Sequence, residues 1–123
     1  MTSEQDFPRK ALWNDVEAWR DFVEECSVGY SDSLAEYEFD LSVRDRIQRA
    51  LDDESLQAAD GYERFRESVR SIDDRFLGLA RVDLPAADAG SLPWWHLRVP
   101  EKGGRELADD LSLRLGVTIT VIE

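Results

Sequence analysis

Tyr62, Phe65, Val69, Ile72, Phe76 and Leu79 follow one another at alternating spacings of three and four residues. That interval keeps all of them on one face of a helix, whereas a strand sends successive side chains to opposite faces with a period of two. The pattern predicts an amphipathic helix over 61–81, with Asp60-x-x-Glu63 as a capping box at its head. Its apolar face has to be covered, either by the rest of the chain or by a second copy. The repeat falls short of the three to four heptads that mark a coiled coil, so packing inside one domain is the expected solution. A homo-oligomer joined through the 61–81 helix is the alternative.

Leu12, Val16, Trp19, Val23 and Cys26 repeat the helical spacing and predict a first helix from Pro8 to Ser27, closed by Gly29. Tyr37, Phe39 and Leu41 alternate with Glu36, Glu38 and Asp40, the period of a half-buried strand over 36–41. Leu34, Tyr37 and Leu41 also fit a helix, so the two readings compete there. Ser42-x-x-Asp45 resembles a capping box and opens a short helix to Asp53 on Val43, Ile47 and Leu51. Asp83 to Pro93 reads as a loop, Trp94 to Val99 as a strand, Pro100 to Gly103 as a turn, and Arg105 to Leu115 as a helix stopped by Gly116. The β-branched run Val117 to Ile122 closes the chain as a strand. The expected fold is a single α+β domain over 1–123. Its N-terminal helices pack with a small three-stranded sheet (36–41, 94–99, 117–122), and its C-terminal strand–helix–strand unit forms a parallel crossover.

Charge is distributed unevenly. The chain carries a formal net charge of -12. Between residues 15 and 40 stand Asp15, Glu17, Asp21, Glu24, Glu25, Asp32, Glu36, Glu38 and Asp40, with Arg20 as the only base. On the first helix Glu17, Asp21, Glu24 and Glu25 fall opposite the apolar face and make an acidic stripe. That stripe breaks two local rules. Glu17, Asp21 and Glu25 are like charges one turn apart, each pair costing about 0.2–0.5 kcal/mol. Glu24 and Glu25 also sit in the last turn, where the helix dipole favours cations. Such an arrangement calls for compensation, either internal from Arg44, Arg46 and Arg49 or external from a basic partner.

Several chemistries are disfavoured. The single histidine, His96, and the single thiol, Cys26, on an apolar helix face, do not compose a nucleophile with its base. Adjacent carboxylates such as Asp73-Asp74 and Asp109-Asp110 are what an acid-rich chain produces without acid–base catalysis. No H-E-x-x-H, C-x-x-C or EF-hand spacing is present, so no metal ligands are assigned and no cofactor is expected. Gly103-Gly104 opens a helix but lacks the phosphate-loop flanks. The acidic balance disfavours nucleic acid, whose affinity depends on basic residues. No apolar run approaches the roughly 20 residues of a membrane span. With one cysteine and no basic-then-apolar start, the expected setting is the cytoplasm. Thirteen arginines against two lysines fit a GC-rich bacterial genome.

The expectation that remains is a non-enzymatic binding protein that neutralises a basic protein partner. In format (short, acidic, aromatic-rich, without a catalytic motif) the chain is similar to bacterial immunity proteins, which block a cationic toxin. That resemblance implies an immunity or antitoxin role but carries over no residue. The charge pattern itself nominates Glu17, Asp21, Glu24, Glu25, Glu36, Tyr37, Glu38 and Asp40 as the partner-binding set, with Trp19 or Tyr37 as aromatic anchors. Trp94, Trp95 and His96 form a second candidate surface, suited to a small enzyme or ligand-binding protein. The expected assembly is a monomer or weak homodimer.

Overall fold

The computed structural model describes residues 10–85 and 92–122. Pro8 and the 86–91 part of the expected loop lie outside the described residues. The fold is α+β, with helices dominant. Helix α1 (Lys10–Val28) is followed by α2 (Leu34–Leu41), α3 (Val43–Leu51), the single turn α4 (Glu54–Gln57) and α5 (Tyr62–Leu79). Strand β1 (Val82–Asp83), a 3₁₀ turn (Trp94–Leu97), β2 (Arg98–Val99), β3 (Lys102–Gly103), α6 (Arg105–Leu115) and β4 (Thr120–Val121) complete it.

The two long helices form as the spacing predicts. Leu12, Val16, Trp19, Phe22, Val23 and Cys26 of α1 are buried, facing Phe65, Val69, Ile72 and Phe76 of α5. The α5 seam is therefore consumed within the domain. Its head is Gly61 in the left-handed region at φ 90°, with no side-chain cap, so the capping box expected of Asp60 and Glu63 does not form. Aromatic rings fill the centre: Trp19 stacks on Phe22 with centroids 5.7 Å apart and tilts on Phe76 at 5.1 Å, and Phe22 meets Tyr37 at 5.3 Å. Burying each such ring contributes about 1.5–3 kcal/mol.

Residues 34–41 are helical, which corrects the strand expected over 36–41. Ser33 stands at the N-cap and its side chain accepts from the Glu36 backbone N–H at 3.1 Å. Leu34, Tyr37 and Leu41 face the core, and Phe39 turns out to solvent at 73% exposure. The helical period wins because it buries those three together, while a strand would have stranded the α2 backbone without a sheet neighbour.

The single three-stranded sheet is replaced by two pairs. β1 and β2 are antiparallel (Val82 opposite Val99, Asp83 opposite Arg98), and β3 and β4 are parallel (Lys102 opposite Thr120, Gly103 opposite Val121). The strand expected over 94–99 begins as a 3₁₀ turn, in which the His96 N–H reaches the Pro93 carbonyl at 3.0 Å, and only Arg98 and Val99 are extended. The C-terminal strand–helix–strand unit is present, with β3 as its first strand in place of 94–99 and α6 as the connection. Gly103 and Gly104 let that unit approach Tyr30: a Cβ on Gly104 would lie 2.9 Å from Ser31 Cα, and the Gly104 N–H donates to the Tyr30 carbonyl at 2.7 Å. Close packing thus explains this glycine pair, with the Gly104 N–H turned to the chain itself.

Candidate functional site

The acidic stripe divides between internal pairing and a groove. Glu24 forms an ion pair with Arg75 of α5, so it is satisfied away from the rest. Asp15, at the head of the acidic stretch, takes Arg46 of α3 at 3.2 Å, an exposed pair worth about 0–1 kcal/mol. Arg44 does not reach the stripe at all, and Arg49 makes no ion pair among the described residues. Of the three expected arginines, none forms an ion pair with the stripe among the described residues; Arg46 pairs with Asp15 just ahead of it.

Arg44 instead enters the core at 3% exposure. Its Nε and Nη2 donate to both oxygens of Asp73 at 2.9 and 2.8 Å, and Nη1 donates to Gln48 at 2.9 Å. Asp73 also accepts from Trp19 Nε1 at 3.0 Å. The guanidinium carbon lies 4.3 Å from the Trp95 ring centroid, and Trp95 Nε1 donates to Asp45 at 2.8 Å. Adjacent α3 residues thus grip one indole by its face and its edge. Asp45, expected to cap α3, holds the 3₁₀ turn, and Ser42 Oγ donates to the Phe39 carbonyl. Sequence spacing carries no signal of this network, because apart from the Arg44–Gln48 contact its partners lie 29 to 54 residues apart.

Three carboxylates without an ion pair among the described residues meet between α1 and α2. Asp21 and Glu25, one turn apart on α1, and Asp40, at the end of α2, line a groove of about 330 Å³. Phe22 and Val43 form its base, exposed Phe39 its rim, and Arg46 is the one basic residue in the lining. Asp21 and Glu25 have no ion pair among the described residues, and Asp40 accepts from the buried Tyr30 hydroxyl at 2.7 Å. Partial burial raises the Glu25 carboxyl above its ordinary range, helped by the negative charges of Asp40, Asp32 and Asp21. The groove therefore holds converging negative charge that the fold itself leaves unneutralised.

The other nominated residues are dispersed. Glu17 and Glu36 are exposed but do not line the groove, and Glu38 points to another pocket. Trp19 and Tyr37 are buried at 0% and 1% exposure, so neither can anchor a partner as expected. Tyr37 instead donates its hydroxyl to the Arg98 carbonyl at 2.9 Å. Phe39, assigned to the core by the strand reading, is the aromatic exposed at the groove instead. The signal that finds it is Ser33-x-x-Glu36, a helix-start pattern just ahead of Tyr37.

At the second candidate surface, Trp95 is buried and Trp94 is partly covered, its ring 6.1 Å from that of Phe76. His96 Nε2 lies 2.8 and 2.9 Å from the two oxygens of Asp45. Beside His96 a smaller pocket, of about 220 Å³, reaches α2 and the end of α6. Among the described residues no three His, Cys, Asp or Glu side chains are grouped to hold a metal ion, and no helix is long and apolar enough to cross a membrane. Cys26 is buried and its thiol is pushed far up by that burial, which leaves it inert as a nucleophile. The chain matches no protein-family model, no curated protein and no solved structure.

Proposed function

We propose that the protein is a non-enzymatic binding protein of the bacterial cytoplasm that neutralises a basic protein partner, in the manner of an immunity or antitoxin-type inhibitor. The observation that carries this reading is the groove between α1 and α2. Asp21, Glu25 and Asp40 face it, a largely exposed Phe39 borders it, and its single basic residue is already paired with Asp15. Concentrated like charge weakens a fold unless a counter-charge arrives, and a basic partner supplies one. Carboxylates around an exposed aromatic suit arginine and lysine side chains, which pair with the acids and stack on the ring.

Opposite charge at the rim accelerates association and makes it sensitive to salt. The test is affinity capture from the native host at low and high salt, with wild-type protein and with an Asp21→Lys/Glu25→Lys variant. A single basic protein, retained at low salt by the wild type and lost with the variant, is the expected result. Capture by the variant that equals the wild type removes the groove from the account.

A further inference from the structure

The pocket beside His96 is independent of the groove, because the two use different faces of α2: Glu38 and Leu41 here, Phe39 and Asp40 there. Its floor is leucine, from Leu34 and Leu41 of α2, Leu84 after β1, and Leu115 at the end of α6. Two opposite charges, Glu38 and Arg114, also line it. Both are exposed, and neither forms an ion pair with the other or with any other described residue. His96 contributes an imidazole whose Nε2 is occupied by Asp45. The volume, about 220 Å³, is below the roughly 300–1,000 Å³ of pockets for drug-sized molecules.

We propose that this pocket binds a free apolar α-amino acid of about leucine's size. The aliphatic side chain lies on the leucine floor, the ammonium faces Glu38, and the carboxylate faces Arg114. The charges select the class. An apolar acid gains Arg114 but is set against Glu38, and an apolar amine meets the reverse. A zwitterion satisfies both, and one with an apolar side chain also covers the floor. Peptide chain ends carry only one of the two charges at any one residue, so the site discriminates against them.

The test is a two-dimensional amide NMR titration of the full chain with L-leucine, N-acetyl-leucine and leucinamide. Leucine should give saturable shifts at Leu34, Leu84, Leu115 and His96. Each single-charge analogue should bind about tenfold more weakly, the loss of one charge-assisted contact. Glu38→Gln should bring N-acetyl-leucine level with leucine, and Arg114→Gln should do the same for leucinamide. Both side chains are solvent-exposed, so both variants should retain the wild-type spectrum elsewhere. No saturable shifts with leucine, equal binding of all three probes, or tighter binding of either analogue to the wild type would overturn the proposal.

Discussion

The buried Tyr30 hydroxyl donates to Asp40 Oδ2 at 2.7 Å, so the core of the domain fixes one of the carboxylates that face the α1–α2 groove. Tyr30 is itself held against α6, since its carbonyl accepts from the Gly104 N–H and its backbone bridges to Gly103. The groove's negative charge is thus built on the packing of the C-terminal unit and is not a loose property of the surface.

That contact has a consequence at high pH. Burial, followed by the hydrogen bond to Asp40, pushes the Tyr30 phenol up, and burial raises Tyr37 as well. In the unfolded chain phenols ionise near pH 10. With folded values raised, their contribution to stability is whole below about pH 10 and is lost as pH rises beyond it. Urea midpoints should fall steeply above about pH 10, and the phenolate absorbance of Tyr30 and Tyr37 should appear together with unfolding.

Glu25 behaves in the opposite sense to a salt-bridged carboxylate. Its folded value is raised, so its charged form destabilises the fold at neutral pH and its protonated form does not. Glu25→Gln should stabilise at pH 7 by about 0.5 kcal/mol, the scale of a like-charge helical pair. The advantage should vanish as pH falls below about 4.3, where the wild-type residue is protonated in both states. Paired urea denaturations at the two pH values measure it.

Arg44→Ala should be among the most damaging single changes in the chain. It leaves Asp73, at 14% side-chain exposure, without its bidentate partner and removes the cation from the Trp95 face. Breaking one half of a buried pair costs about 3–5 kcal/mol. Arg44→Lys should recover only part of this, because an ammonium cannot reproduce the fork on Asp73. Chemical denaturation, with Asp73→Asn completing a double-mutant cycle, gives the coupling.

Phe39→Ser separates binding from folding. Phe39 is 73% exposed, so the change should shift stability by no more than about 0.5 kcal/mol. Affinity for the basic partner should fall by about tenfold or more, the loss expected of an interface anchor. Calorimetric titration beside a thermal melt reads both quantities on the same sample.

The long helices were legible because their apolar residues recur over many turns: Leu12 to Cys26 and Phe65 to Phe76 lie where the period places them. Residues 36–41 were not, because six residues satisfy both a period of two and a period of 3.6. The decision came from the Ser33 cap and from the pocket that receives Tyr37, neither of which periodicity reports. The consequence was local: it moved Phe39 from the core to the rim of the groove. Trp94-Trp95-His96 misled for another reason: Pro93 starts a 3₁₀ turn, and Arg44 and Asp45, about 50 residues earlier in sequence, hold it. The acidic stripe was legible as composition, but its division was not. Only the approach of α5 assigns Glu24 to Arg75, and only the approach of α2 brings Asp40 to Asp21 and Glu25.

The most direct test of the groove is the affinity of the captured basic partner for wild-type protein and for an Asp21→Lys/Glu25→Lys/Asp40→Lys variant, each followed across a salt series. All three side chains are on the surface or at its edge, so circular dichroism should show the variant folded. Wild-type binding should be tight and weaken steadily with salt, and variant binding should be far weaker and nearly independent of salt. A folded variant that binds as tightly as the wild type, with the same dependence on salt, would contradict this expectation.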